Sequence, residues 1–272
     1  MKYKLLVLDI DGTLNNSNKE ISEITKTTLI KAQEKGLKIA LASGRPTCGI
    51  IPSAKELMLE KFGGYILAFN GGQITNCAND EIIYEKVIAK EDIKRIYDVS
   101  KSVNANILTY SDGGVVAENL DEFLEIECRI NKINYNIVPD LVAHLKNNVP
   151  KFLMVGDGDY MGSVEPTVKE QLGDNFNVFR SEPFFLEVMP KNIDKAYSLA
   201  KLLEYMGLTR DEMIACGDGF NDISMISYAG LGVAMENAQP AVKEVSDFIT
   251  LSNDENGIAH VVEKFVFNEI TA

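Results

Sequence analysis

Basic residues are in deficit in this chain of 272 residues, where 27 Lys and Arg face 40 Asp and Glu for a formal net charge of −13. So acidic a surface opposes phosphate backbones and anionic lipid, so neither nucleic acid nor a membrane is an expected partner. A small phosphorylated ligand stays open, because a bound divalent cation and one or two placed basic groups reverse the field locally. Histidine is nearly absent. His144 and His260 are spaced for neither zinc nor a catalytic dyad, and both are expected on a helix surface or flank. Cysteine is sparse as well: Cys48, Cys77, Cys128 and Cys216 lie far apart with no Cys-x-x-Cys pair, which reads as reduced thiols rather than a disulfide framework. Long apolar runs are missing, with nothing near the roughly 20 residues of a bilayer span. The four apolar residues after Lys2 and Lys4 are too few for a secretory core region, so a cytoplasmic location is the expectation.

What is present is ordinary for a globular protein, 46% hydrophobic and 25% charged, with length for one or two domains. The organising stretch is Asp9-Ile10-Asp11-Gly12-Thr13-Leu14, behind Leu5-Leu6-Val7-Leu8. Four apolar residues without alternation predict a strand buried on both faces, as in parallel sheets covered by helices. Ligands of such sheets gather at the carboxyl ends of the strands, where these two carboxylates fall. An Asp-x-Asp pair followed by Gly suits a hard cation, or a nucleophile with an acid/base beside it. Asp and Gly also cluster in plain turns, so the motif alone decides little. An EF-hand calcium loop is ruled out by Leu14 at the position that requires Gly.

Further along, Ile21, Ile24, Leu29 and Ala32 have helical spacing before Gly36, and Leu37 to Ala42 reads as a second buried strand. It runs into Ser43-Gly44-Arg45-Pro46 and a helix extending to about Lys61. Ser43 and Gly44 are candidates to hold a phosphoryl group at that helix start, with Ser43 as a simple N-cap the plainer alternative. A third strand from Tyr65 to Phe69 ends in the tight-turn signal Asn70-Gly71-Gly72 and leads to a hairpin or flap. From 81 to 188 the pattern changes to short strands and amphipathic helices, a separate α+β unit. Gly156-Asp157-Gly158-Asp159 within it is read as a turn. Buried-strand rhythm then returns. Lys195 opens a helix in its first turn, where the dipole disfavours a cation. Met213-Ile214-Ala215-Cys216 leads to Gly217-Asp218-Gly219-Phe220-Asn221-Asp222, a second acidic cluster at a strand end. The fold expectation is α/β: a doubly wound, Rossmann-like parallel-sheet core from 1–80 and 189–272, with an α+β unit at 81–188 inserted into it.

In order and spacing, Asp9-x-Asp11-Gly12-Thr13-Leu14, Ser43-Gly44-Arg45, Lys195 and Gly217-Asp218-Gly219-x-Asn221-Asp222 resemble the haloacid dehalogenase (HAD) superfamily of phosphatases. The insertion after Asn70-Gly71-Gly72 resembles its Cof-type subfamily IIB, and the likeness covers essentially the whole chain. It implies that Asp9 is the nucleophile, that Asp11 protonates the leaving group and then activates water, and that Thr13 orients Asp11. It implies Mg²⁺ held by Asp9, the Asp11 carbonyl and Asp218, with Asp222 in support. Ser43, Gly44, Lys195, Asn221 and the backbone of Ile10 would hold the phosphoryl oxygens, and the inserted unit would be the specificity cap. Arg45 and the polar residues Asp112, Glu125 and Arg129 could touch a sugar or other polyol, but solvated surface positions are the simpler assignment for each.

The expected activity is Mg²⁺-dependent hydrolysis of small phosphorylated metabolites, sugar phosphates foremost, by a monomer or small homo-oligomer. A phosphotransferase or mutase would use the same core residues. A phospho-accepting regulatory module would share the acidic pair and the Lys, but the insertion of about a hundred residues is far longer than an ordinary loop.

Overall fold

The computed structural model describes residues 2–111 and 113–267. In chain order the first part contains β1 (Leu5–Leu8), α1 (Glu23–Glu34), β2 (Lys38–Ala42), α2 (Thr47–Glu56), α3 (Leu59–Phe62), β3 (Tyr65–Ala68), β4 (Gln73–Asn76) and β5 (Ile82–Glu85). The middle contains α4 (Lys90–Ser102), β6 (Asn106–Ser111), β7 (Gly114–Ala117), α5 (Glu122–Asn131), β8 (Tyr135–Ile137), α6 (Leu141–His144), β9 (Phe152–Val155), α7 (Gly158–Leu172), β10 (Phe176–Glu182) and β11 (Phe185–Pro190). The last part contains α8 (Lys195–Met206), β12 (Met213–Gly217), α9 (Ile223–Tyr228), β13 (Leu231–Ala234), α10 (Pro240–Glu244), β14 (Phe248–Ile249) and α11 (Gly257–Val262). These fall into two compact units, Met1–Glu85 with Asp194–Ala272, and Lys86–Ile193.

The discontinuous unit is built on a sheet ordered β14-β13-β12-β1-β2-β3-β4-β5 among the described residues. Every pairing from β14 to β3 is parallel, and β3-β4-β5 continue antiparallel. Leu5, Leu6, Val7 and Leu8 are all fully buried, which accounts for their unbroken apolar run; each contributes on the order of 1.5–3 kcal/mol of burial. The chain steps outward from β1 to β2 and β3, then returns on the other side as β12 and β13. The crevice between the carboxyl ends of β1 and β12 is therefore the switch point where α/β sheets bind ligands.

Two helices that frame the site region start where a side chain satisfies the first turn. Ser22 caps α1 by accepting from Thr25 N. Asp194 caps α8 by accepting from Tyr197 N, and Gly207 closes it with φ +67°. The single helix expected to reach Lys61 is instead two, because Met58 takes a left-handed conformation (φ 56°) between α2 and α3. The buried amide of Gln33 donates to the Leu57 carbonyl at 2.9 Å, filling the bond lost at the break.

The segment 81–85, grouped by sequence with the insertion, belongs to this sheet. After the Asn79-Asp80 turn the chain pairs back on β4, with Ile74 opposite Tyr84 and Gln73 opposite Glu85. At the far end β11 runs on to Pro190, so the units divide at 85/86 and 193/194. The last helix among the described residues, α11, is α-helical only to Val262, and continues as a π-helix over Glu263–Phe267.

The inserted unit has its own sheet, β10-β11-β9-β6-β7-β8. One face packs Ile107, Phe152, Met154, Leu186 and Val188 against Ile93 and Ile96 of α4 and Met161 and Val168 of α7. Away from that core, buried Lys151 pairs with buried Glu187 at 3.0 Å, and the Tyr110 hydroxyl donates to buried Glu127 of α5 at 2.5 Å. The sequence reading missed β7, β8 and, in the other unit, α9, all three short. The Gly156–Asp159 stretch is a helix start rather than a turn: the Asp157 side chain caps α7 by accepting from Asp159 N and Tyr160 N. The four cysteines form no disulfide.

Candidate active site

β1 and β12 end side by side, and the parallel ladder continues one residue further through Asp9 N donating to Cys216 O at 3.0 Å. Beyond Asp9 the chain folds back, with Leu14 N donating to Asp9 O at 3.2 Å and Asn15 N to Ile10 O at 2.9 Å. Gly12 sits at the bend with φ +85°, and a Cβ there would collide with the Asp218 carboxylate; only Gly lets the two acidic loops approach this closely. On the β12 side, Asp222 Oδ2 accepts from Asp218 N at 3.0 Å and from Gly219 N at 2.9 Å, which fixes the second loop.

Lys195 joins the two loops. It is 1% exposed, and its Nζ donates to Asp9 Oδ1 at 2.8 Å, Asp222 Oδ1 at 2.5 Å and Ala42 O at 3.0 Å. A cation in the first turn of a helix, against the dipole, is held there by two buried carboxylates. Burial alone would favour neutral Lys195, but Asp222 and Asp9 outweigh it and raise its pKa. Burial pushes Asp9 well above the usual carboxylate range; Asp222 and Asp218 push the same way and Lys195 opposes them. Asp218 is pushed up to about 6, by burial first and also by Asp222, against the Thr13 hydrogen bond.

Asp9, Asp218 and Asp222 present carboxylate oxygens within 4.8 Å of one another. Three carboxylates facing one ammonium leave a deficit of positive charge, and an all-oxygen donor set fits a hard divalent cation. Their bonding divides the roles. Both Asp222 oxygens are engaged, Oδ1 by Lys195 and Oδ2 by two backbone N–H groups. Asp9 uses Oδ1 for Lys195 and Asp218 uses Oδ1 for Thr13, so their Oδ2 atoms are the oxygens available to a metal.

The phosphate-side residues gather at the ends of β2 and β3. Ser43 is buried, and its Oγ accepts from Arg45 N at 3.2 Å. It does not cap α2, whose N-cap is Pro46. Asn70 N donates to Ser43 O at 2.9 Å, and Asn221 Nδ2 donates to Asn70 Oδ1 at 3.0 Å. A Cβ at Gly44 would lie 3.2 Å from the Asn70 amide. Phe69 and Asn70 both have positive φ, 54° and 55°, a strained backbone of the kind that collects at functional sites. Asn70 is thus part of the site although sequence reasoning saw only a turn; its place at the end of a third parallel strand was the available signal. Asn237, whose amide donates to Gly12 O at 2.8 Å, gave no such signal.

Two other side chains stand apart from their expected contacts. Thr13 Oγ1 donates to Asp218 Oδ1 at 2.8 Å, so it steadies Asp218 rather than Asp11, because the Gly12 bend swings it toward β12. Arg45, offered as a polyol contact, grips Asp11. Burial would raise the Asp11 carboxyl, but Arg45 and then Lys19 outweigh it and hold it below its ordinary value. Glu125 and Arg129 are exposed, and Asp112 lies outside the described residues.

The model of a family described as haloacid dehalogenase-like hydrolase matches residues 6–262. The chain is 30% identical over 265 residues to the Bacillus subtilis 5-amino-6-(5-phospho-D-ribitylamino)uracil phosphatase YcsE, covering 97% of this chain and 96% of that one. It superposes with a TM-score of 0.93 on a haloacid dehalogenase-like hydrolase from Bacteroides thetaiotaomicron, at 49% identity over 96% of this chain and 99% of that one. With BT4131, described as a HAD subclass IIB sugar phosphatase, the TM-score is 0.77 at 26% identity, over 96% and 98% of the two chains.

Proposed function

The chain belongs to the haloacid dehalogenase-like hydrolases and is a phosphoric monoester hydrolase, and from that premise we propose that it hydrolyses small phosphorylated metabolites, sugar phosphates foremost, through an aspartyl-phosphate on Asp9 with Mg²⁺ as cofactor. The observation that carries this reading is the position of Asp9: buried at the end of the central strand, hydrogen-bonded to Lys195 and beside Asp218. The description of BT4131 as a sugar phosphatase supports the sugar-phosphate class, and YcsE likewise bears the name of a phosphatase for a small phosphorylated compound.

Asp9 attacks phosphorus, the P–O bond of the ester breaks, and Asp11 gives its proton to the leaving oxygen. In the second half Asp11 takes a proton from water, which attacks the aspartyl-phosphate and releases phosphate. Dividing the displacement in two gives each step a lower barrier. Lys195, the Ser43 hydroxyl, the Asn221 amide and the backbone of Ile10 and Gly44 hold the phosphoryl oxygens as charge spreads over them. Asp9 and Asp218, with the Asp11 carbonyl, would hold Mg²⁺, and Asp222 would keep Lys195 and the 218–219 backbone in place. When bound, the ion offsets the repulsion between the anionic nucleophile and the phosphoryl group. The choice of leaving group is assigned to the inserted unit.

The test is phosphate release from 4-nitrophenyl phosphate and a panel of sugar phosphates, with Mg²⁺ or with chelator, by wild type and Asp9→Asn. Release that needs both the ion and Asp9 is the expected result. Undiminished release by Asp9→Asn removes Asp9 from its role, and transfer to an added sugar in place of phosphate release makes the protein a phosphotransferase.

A further inference from the structure

Asp11 has the closest charged contacts of any residue outside the Lys195 cluster at this site. Its Oδ2 accepts from Arg45 Nε at 2.8 Å and its Oδ1 from Arg45 Nη2 at 2.7 Å. Lys19 Nζ adds a 3.2 Å contact from a side chain 69% exposed, against 19% for Arg45. Solvent screens the lysine contact. The guanidinium fork is different in kind, because two parallel bonds fix both the plane and the direction of the carboxylate, which a single contact cannot do.

Arg45 is itself anchored. Its backbone N donates to Ser43 Oγ at 3.2 Å, and its carbonyl accepts from Phe69 N at 3.0 Å. The orientation of the Asp11 carboxylate is thereby tied to the turn that presents Ser43 and Gly44. The Nε–Nη2 edge of Arg45 is already spent on Asp11, which argues for a role exerted through that residue.

We propose that Arg45 is a positioning residue that sets the Asp11 carboxylate for proton transfer. The inference rests on the reading of Asp11 as proton donor and acceptor. As the ester P–O bond breaks, the leaving oxygen takes the Asp11 proton, and the carboxylate so formed is the state that the two Arg45 hydrogen bonds hold in the structure. Water returns a proton to Asp11 when it attacks the aspartyl-phosphate, which restores the acid.

The test compares phenyl phosphate, whose leaving oxygen needs a proton, with 4-nitrophenyl phosphate, whose leaving group departs as an anion. Asp11→Asn should lower kcat/KM, which reports the first half-reaction alone, about a hundredfold for the first substrate and far less for the second, in keeping with the weight of general acid catalysis. Arg45→Ala should show the same split, about tenfold or more on phenyl phosphate against less than about threefold on 4-nitrophenyl phosphate. Arg45→Lys, which keeps the charge without the fork, should fall between. In the Asp11→Asn background Arg45→Ala should change neither rate, because two residues acting through one group are not additive. Equal loss on both substrates, or a further loss in the double variant, overturns the proposal. If Arg45→Ala does not fold, Arg45→Lys alone and in the Asp11→Asn background decides on the same criteria. A wild type inactive on both esters and on the sugar-phosphate panel removes the proposed function, and this role with it; a wild type active on sugar phosphates alone moves the comparison there, where a double variant slower than Asp11→Asn overturns the proposal.

Discussion

Replacing Lys195 by Met probes the charge balance of the site without changing its volume much. The side chain is 1% exposed, and its ammonium makes three bonds, two of them to buried carboxylates. Met fills the space but leaves Asp222, fully buried, and Asp9 without their cation. Breaking a buried ion pair on one side costs about 3–5 kcal/mol. For a chain of this size each kcal/mol moves Tm by roughly 2 °C, so Lys195→Met should lower Tm by about 6–10 °C at pH 7.5 in chelator. The sign with pH follows from the same charges. Without Lys195 the folded carboxylates bind protons more readily than in the unfolded chain, so stability rises as pH falls, and the gap to wild type should narrow by pH 5. Calorimetric melting of both proteins at the two pH values measures this. A Lys195→Met protein as stable as wild type at pH 7.5, or a gap independent of pH, would refute the argument.

The Asp218 carboxyl, raised to about 6 in the folded protein, should make the chelated protein lose stability as pH rises from 4 to 6, since the folded state binds the extra proton across that window. Asp218→Asn removes this dependence, so its Tm relative to wild type should climb through the same window; a flat difference contradicts the assignment. Asn70→Gly keeps the left-handed backbone at no steric cost but deletes the acceptor for Asn221. It should melt within about 2 °C of wild type while kcat/KM for an aryl phosphate falls about tenfold through loss of orientation, and unchanged kinetics would remove Asn70 from the site.

The parts of the fold and site that were legible in the sequence rest on local signals. Leu5–Leu8 and Met213–Cys216 show their burial by the absence of alternation, and the acidic residues after them mark the strand ends. Lys195 is conspicuous as a cation at a helix start. What was not legible depends on closure of the chain over long separations. Thr13 meets Asp218 across 205 positions, Asn221 meets Asn70 across 151 and Asn237 meets Gly12 across 225. No local periodicity encodes such pairings. The Arg45–Asp11 fork spans only 34 positions, but it depends on β1 and β2 lying side by side, and the order of strands settles that. Ile82–Glu85 was misassigned for a related reason: four residues cannot show which sheet they will join until their hairpin partner is known.

The central claim is that Asp9 carries the phosphoryl group. The direct measurement is acid quenching during turnover of 4-nitrophenyl phosphate, borohydride reduction, and peptide mass spectrometry, since reduction converts an acyl phosphate to an alcohol at the modified side chain. The account predicts a reduced side chain at position 9, absent without substrate and absent from Asp9→Asn. Reduction at Asp11, Asp218 or Asp222 instead, or turnover with position 9 unmodified, would contradict it.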